Sequence, residues 1–192
     1  MNGGLAKQQG LVLVLALLVL MTLTIIGITS VNSSLMQAKM ASSLETSALA
    51  FDAAEAAISG VAYEAEDDVL LADTATLDVI SQARQDTELD PELQDLSCFD
   101  DANWVNRTLT ATGLSPGVTH TATGSYNANP EVTSWSRTAF VKEQACEGSS
   151  NVIGGSNISC HIFLVRGCGQ LATASFAVAN TLNAATFAPA SE

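Results

Sequence analysis

The sequence predicts an α+β fold: a long amino-terminal α-helix packed on a small antiparallel β-sheet head. Three observations carry this. The run Leu11–Val31, LVLVLALLVLMTLTIIGITSV, holds no charged residue; the stretch from Val31 to Val61 holds no proline and a single glycine, Gly60; and from Asn103 onward Thr, Val and Ser alternate with apolar residues between Gly and Pro punctuation. The first two patterns are helical, and the third is strand-and-turn texture.

The first element sets the class of the protein. A helix rises about 1.5 Å per residue, so the apolar run spans roughly 30 Å, the thickness of a bilayer's hydrocarbon core. Lys7 gives the short flank before it one positive charge, which leaves that end in the cytoplasm. A cleaved secretory signal would have a shorter apolar region of about 7–15 residues and a small-x-small site close behind it. Ala41-Ser42-Ser43 lies far downstream for that purpose. A plain signal anchor accounts for the run but not for the long helical pattern beyond it.

Past the run, Met40, Leu44, Ala48, Phe51, Ala54, Ile58 and Val61 recur at steps of three and four, on one helical face. Lys39, Glu45, Asp52 and Glu55 fall off that stripe. The expectation is one helix over residues 11–61, apolar all round at first and amphipathic afterwards. Average helices hold about 11–12 residues, so a helix of this length requires two environments. The first half belongs in a membrane or a helix bundle, and the second against a head over residues 62–192.

Two segments of this region carry a resemblance. Gln8-Gln9-Gly10 leads into the uncharged run, and Ala50-Phe51-Asp52-Ala53-Ala54-Glu55-Ala56-Ala57-Ile58 closes the helix. Together they resemble the amino-terminal region of PilX-type minor pilins of type IV pili; a late strand running into Val165-Arg166-Gly167-Cys168-Gly169 resembles the family loosely. The resemblance implies a prepilin leader over residues 1–10, cut by prepilin peptidase between Gly10 and Leu11, with Leu11 becoming a methylated amino terminus. It implies an inner-membrane precursor, cytoplasmic at its amino terminus and periplasmic in its head, that later joins other minor pilins and the major pilin at the cell surface. It implies neither a cofactor nor a small-molecule substrate.

One departure refines that implication. Major pilins carry a glutamate at the fifth mature position, which neutralises a neighbour's terminal amine; counting from Leu11, this chain has Leu15 there. A buried amine without a partner costs several kcal/mol. The absence of the carboxylate therefore points away from a bulk subunit and toward a fibre tip, where no neighbour sits above. Gly27 is placed to allow a bend or a close helix approach. The alternatives are a K-type pseudopilin of type II secretion, and, in a different class, a signal-anchored periplasmic binding or adhesion domain.

Composition narrows the partners. Twenty Asp and Glu face seven Lys and Arg, a formal net charge of −13, and Arg84 is the sole basic residue between positions 45 and 101. Nucleic acid and anionic membrane surfaces both require basic contacts, so neither is a partner. The acidity reads as a solvated face on an exported head. About 130 residues after the helix allow one domain of ordinary size.

Cys98, Cys146, Cys160 and Cys168 all lie beyond the apolar run. Four cysteines after an export segment read as two disulfides in an oxidising compartment, and they allow three pairings between which the sequence does not choose. The pairing favoured is Cys146 with Cys160, closing the loop GSSNVIGGSN, and Cys98 with Cys168. No C-x-x-C occurs and there are two histidines, His120 and His161, which argues against zinc.

Within the head, Glu64, Glu66, Asp67 and Asp68 form an acidic knot that lacks the spacing of a calcium loop. Residues 74–84 read as a short helix capped by Asp73 or Thr74, and Asp90-Pro91 opens a further turn through Leu96. Strands are expected over residues 104–112, 120–126, 133–141, 158–166 and 171–179, with Cys168 in a turn between the last two. Trp104, Trp135 and Tyr126 read as buried aromatics, and His120 and His161 as structural residues. The motifs G-x-S-x-G, H-E-x-x-H and Walker A are missing, and Gly154-Gly155 precedes no helix that would cradle a phosphate. The function expected is assembly, not catalysis.

Overall fold

In the computed structural model, residues 9–99, 103–146 and 158–189 are described. The chain forms two compact units, one up to Glu45 and one from Thr46 onward. Helix α1, Gln9–Ala65, runs through 57 residues and contributes to both. The helix is uninterrupted at Gly27, where a methyl group would meet no heavy atom within 4 Å.

The second unit combines the end of α1 with two short helices, α2 (Asp68–Leu71) and α3 (Val79–Gln85), and one sheet. Its strands are β1 (Val105–Leu109), β2 (Asn127–Ala128), β3 (Glu131–Gln144), β4 (Ile158–Leu171) and β5 (Val178–Pro189). They pair antiparallel in the order β1-β3-β4-β5, with β2 against β3 as well. The fold is α+β, a long amino-terminal helix on a small antiparallel sheet.

The helix face of the sheet is made of small residues. Ser134 pairs with Gly169 and Ser136 with Gly167 across β3 and β4, and Ala50, Ala53, Ala54 and Ala57 of α1 are buried. Ser134 Oγ donates to the Ala53 carbonyl at 2.7 Å. A methyl group on Gly167 would fall on the Ala54 carbonyl oxygen and 2.7 Å from Ile58 Cγ1, and one on Gly169 would fall on the Ala50 carbonyl oxygen and 3.0 Å from Ala53 Cβ. Glycine in a strand interior marks such a close backbone approach. Two apolar clusters flank this contact: Val61, Val79, Ala83, Val105, Phe140, Phe163 and Val165 in one, and Val132 and Leu171 beside Ala50 and Ala53 in the other.

This geometry corrects several expectations. The predicted stripe faces the sheet only in its last part: Ala54 and Val61 are buried and Ile58 packs against the core, whereas Phe51, Ala48, Leu44 and Met40 are exposed and Ala50, Ala53 and Ala57 are buried instead. A sheet that touches the helix through glycine and serine admits methyl groups and excludes a phenyl ring. Cys168 lies within β4, not in a turn, because its flanking glycines serve the helix contact. The last hairpin therefore turns over residues 172–177, and the final strand is Val178–Pro189 instead of 171–179.

Residues 120–126 form no strand; the side chains from Thr121 to Gly124 are exposed, so alternation there has no face to bury. The segment instead lies along β1, accepting Thr108 N–H at the His120 carbonyl and Ala111 N–H at the Ser125 carbonyl. Helix α3 starts five residues later than predicted. Asp78 Oδ2 accepts Ile80 and Ser81 N–H and caps it, whereas Asp73 closes a turn onto Ala75 N–H. Asp90-Pro91 makes a turn and no helix, with Leu93 and Gln94 N–H on the Asp90 carbonyl.

The opposite face of the sheet is covered by the acidic segment after α3. Leu89, Trp104, Ala139 and Leu164 form its core. Arg137, buried on this face, lies 5.1 Å from the Trp104 ring centroid and donates to the Ser97 carbonyl at 2.5 Å.

Candidate assembly interface

The first unit presents one chemical surface. From Leu11 to Met40 every large apolar side chain is exposed, with Leu11 at 68% and Leu15 at 62%. By length and composition α1 can cross a membrane, and among the described residues no other helix can. Its hydroxyls are compatible with hydrocarbon. Thr22, Thr24 and Thr29 Oγ1 donate to the carbonyls of Val19, Met21 and Ile26 at 2.8–2.9 Å, so none needs water. No charge interrupts the helix until Lys39.

Gly10 and Leu11, the expected cleavage pair, both lie in the first turns of α1. The leader before Gln9 lies outside the described residues. Leu15 stands one turn after Leu11 on the exposed helix. Leu11 and Leu15 lie on a continuous, exposed apolar rod.

The second unit is held by covalent and ionic ties on the two sheet faces. Cys98 joins Cys168, with Cα atoms 6.0 Å apart, and fastens the acidic segment to β4. Cys146 joins Cys160 with Cα atoms 5.0 Å apart. The loop GSSNVIGGSN between them lies outside the described residues. In the loop-entropy model each bridge contributes about 2–4 kcal/mol.

The acidic knot disperses into separate structural roles. Glu64, 1% exposed, takes Arg107 Nε on both carboxylate oxygens at 2.8 and 3.0 Å. Arg107 also donates to Gln82 Oε1 and the Asn106 carbonyl, each at 3.1 Å. Asp67 caps α2 and accepts Gly117 N–H at 2.6 Å, and Asp68 lies in the first turn of α2. Among the described residues no group of three His, Cys, Asp or Glu is placed to hold a metal ion.

The histidines are built into the head. His120 Nε2 accepts Ser115 N–H at 3.0 Å while its ring packs edge-on to Tyr63. His161 is buried against Phe140, with Ser159 Oγ at 3.1 Å and Glu143 Oε2 at 3.6 Å, both on Nε2. A nucleophile-base-acid relay needs the hydroxyl and the carboxylate on different ring nitrogens, so this trio is no hydrolytic site. Trp104 is buried, and Trp135 and Tyr126 are half-buried, with Tyr126 Oη donating to Asp52 at 3.1 Å.

Two of these groups contribute to the acid response. Burial pushes the His161 imidazole below its usual value of 6.5; the Arg84 charge adds to this and Glu143 opposes it. The Gly117 N–H, and less so those of Val69 and Leu70, hold Asp67 below 3.8 against its partial burial. A depressed histidine binds its proton more weakly in the folded chain, so its stabilisation is complete above pH 6.5 and is lost as pH falls through the folded value. The Asp67 contribution is lost in a second, lower window, as pH falls below 3.8 toward its folded value. The expected result is a Tm that declines in two steps on acidification, of which His161→Gln removes the upper one. An unchanged upper step in that variant would place its origin elsewhere.

Sequence reasoning missed the glycine and serine saddle and the Glu64–Arg107 pair. The saddle had a signal, since Gly167 and Gly169 recur at the strand period within an apolar run and α1 holds an alanine row at helical period. The ion pair had none, its partners being 43 positions apart.

A family model described as PilX N-terminal matches residues 9–59. No curated protein and no solved structure matches the chain. The match covers about a quarter of the sequence and nearly all of α1, the part that is apolar and exposed before it enters the head. The amino-terminal helix is thus similar to the PilX-type pilin amino-terminal region, and by length and composition it can cross a membrane.

Proposed function

We propose that the protein is a minor pilin of a type IV pilus, which joins a priming or tip complex after prepilin peptidase cuts between Gly10 and Leu11. The observation that carries this reading is the coincidence of the PilX N-terminal match with an exposed, uncharged helical rod from Leu11 onward. Before cleavage the rod lies in lipid, with the amino terminus in the cytoplasm and the head in the periplasm. After cleavage it slides into a bundle of like helices, exchanging lipid contacts for helix contacts. Leu15 directs the subunit toward the fibre end, because it offers no carboxylate to the amine of a neighbour. Other minor pilins, the major pilin and the peptidase are the partners of this cycle. The disulfides and the sheet hold the head together in an oxidising compartment.

The test is amino-terminal sequencing and intact mass of the membrane-fraction protein, with and without active peptidase. Loss of residues 1–10 only when the peptidase is present is the expected result. An uncut terminus in both strains would reduce the chain to a signal-anchored domain.

A further inference from the structure

The sheet has two edges, and they differ. Strand β1 is short, and its outer side is occupied by the 119–125 segment through Thr108 N–H to His120 and Ala111 N–H to Ser125. Strand β5 is 12 residues long and pairs with β4 alone among the described residues, in one unbroken register from Val178 to Pro189. It carries no charge, no bulge and no proline before its last residue, although the whole chain has a net charge of −13. Natural sheets blunt an open edge with lysine, proline, bulges or a covering loop, and among the described residues β5 has none of these before Pro189.

Each face of this edge carries an exposed large apolar side chain among small and uncharged polar ones. Leu182, opposite Val165, is 45% exposed, and Phe187, opposite Cys160, is 70% exposed. Their odd separation puts them on opposite sides of the sheet. The charges bordering the strand already bond its own groups: Arg166 Nη1 to Thr181 Oγ1 at 3.3 Å, Arg84 Nη2 to the Pro189 carbonyl at 3.2 Å, and Glu55 with the Asn180 amide. A strand added here would desolvate backbone and apolar groups without stranding a charge.

A second copy of the chain does not fit. The outer edge of β1 is taken, so copies cannot join head to tail. A two-fold pairing of β5 with β5 would reverse one head against the other. Within the head, α1 runs opposite to β4, since Ala50 lies by Gly169 and Ala54 by Gly167. The two Thr46 ends would then stand at opposite ends of the joined sheet, although both chains must leave for the same membrane.

We infer that β5 is a docking edge for an extended strand of a different exported polypeptide, uncharged along the paired stretch and apolar at alternate positions. Backbone hydrogen bonds supply the affinity, and Leu182 and Phe187 select the side chains. The inference rests on α1 as a membrane anchor and not on the pilus role.

The experiment places the photo-crosslinker p-benzoylphenylalanine at Leu182 or Phe187 of the full chain in its native cells. Position Leu93, 84% exposed on the acidic segment, serves as control. The result expected is a cross-link from both edge positions, and not from Leu93, to one uncharged stretch of a single other polypeptide, mapped by peptide mass spectrometry. Ala185→Lys, at an exposed position of β5, lowers the yield at least tenfold, and Ala185→Ser leaves it intact in chains with both disulfides formed. Cross-links to β5 of a second copy, none from either edge position, or an undiminished yield in Ala185→Lys would each overturn the inference. Terminal sequencing of the same material reports separately on cleavage after Gly10, so the docking edge and the pilin reading fail independently.

Discussion

Gly169→Val is expected to destabilise the head by at least about 3 kcal/mol, which lowers Tm by roughly 6–12 °C for a unit of this size. The obstacle is backbone. A Cβ at position 169 meets the Ala50 carbonyl group, its carbon at 2.9 Å and its oxygen nearer still, and Ala53 Cβ at 3.0 Å. A carbonyl inside a helix cannot rotate away without losing its own hydrogen bond, so β4 must lift off α1. Trimming the facing side chain with Ala53→Gly would relieve only part of the clash, and the double variant should stay close to Gly169→Val. Gly167→Val behaves alike, for it meets the Ala54 carbonyl. Gly27→Ala is the contrast. No heavy atom lies within 4 Å there, and alanine is favoured over glycine in a helix interior by up to about 1 kcal/mol. Thermal unfolding of the full chain in detergent, followed by the fluorescence of Trp104 and Trp135, reads all four variants. A Gly169→Val protein melting within 2 °C of the parent, against the roughly 6–12 °C expected, would show that sheet and helix are not in this contact.

The same contact shows what the sequence could and could not disclose. The apolar span, the long helix, the change to strand texture after Asn103 and the α+β class were all legible, because each depends on local period and composition. The part of α1's buried face around Ala50 and Ala53 was not. Hydrophobicity alone ranks Phe51 above Ala50 and Ala53, yet a sheet lined with Gly167, Gly169, Ser134 and Ser136 accepts only the smaller residues. The same cause misplaced the last turn, since a glycine that serves close packing and a glycine that serves a turn look identical in sequence. Strand β5 was displaced because TLNAATFAP has weak strand propensity of its own and takes its conformation from pairing with β4. For the assembly surface, exposure of the rod followed from its composition, while Leu15 was informative only beside a family pattern.

Arg107→Leu is the second large effect, at about 3–5 kcal/mol, the usual cost of leaving one partner of a buried pair uncompensated. Glu64 leaves the last turns of α1 for β1, and Arg107 reaches on from β1 to Gln82 of α3, so a single guanidinium ties three elements. Without it the carboxylate, 1% exposed, keeps among the described residues the His120 N–H at 3.5 Å and the His120 ring at 3.6 Å. Glu64→Leu is milder, because the Arg107 head retains Gln82 and the Asn106 carbonyl. The double variant Glu64→Leu with Arg107→Leu removes both charges and should recover to within about 1 kcal/mol of the parent, since apolar replacement of a buried pair is often neutral. The double-mutant cycle therefore separates the cost of a stranded charge from the worth of the pair. If Arg107→Leu alone costs under about 1 kcal/mol, water reaches Glu64 and the pair does not anchor the helix. If the double variant is no better than the single, the three-element tie contributes through geometry that leucine cannot supply, and the pair fixes where α1 enters the head.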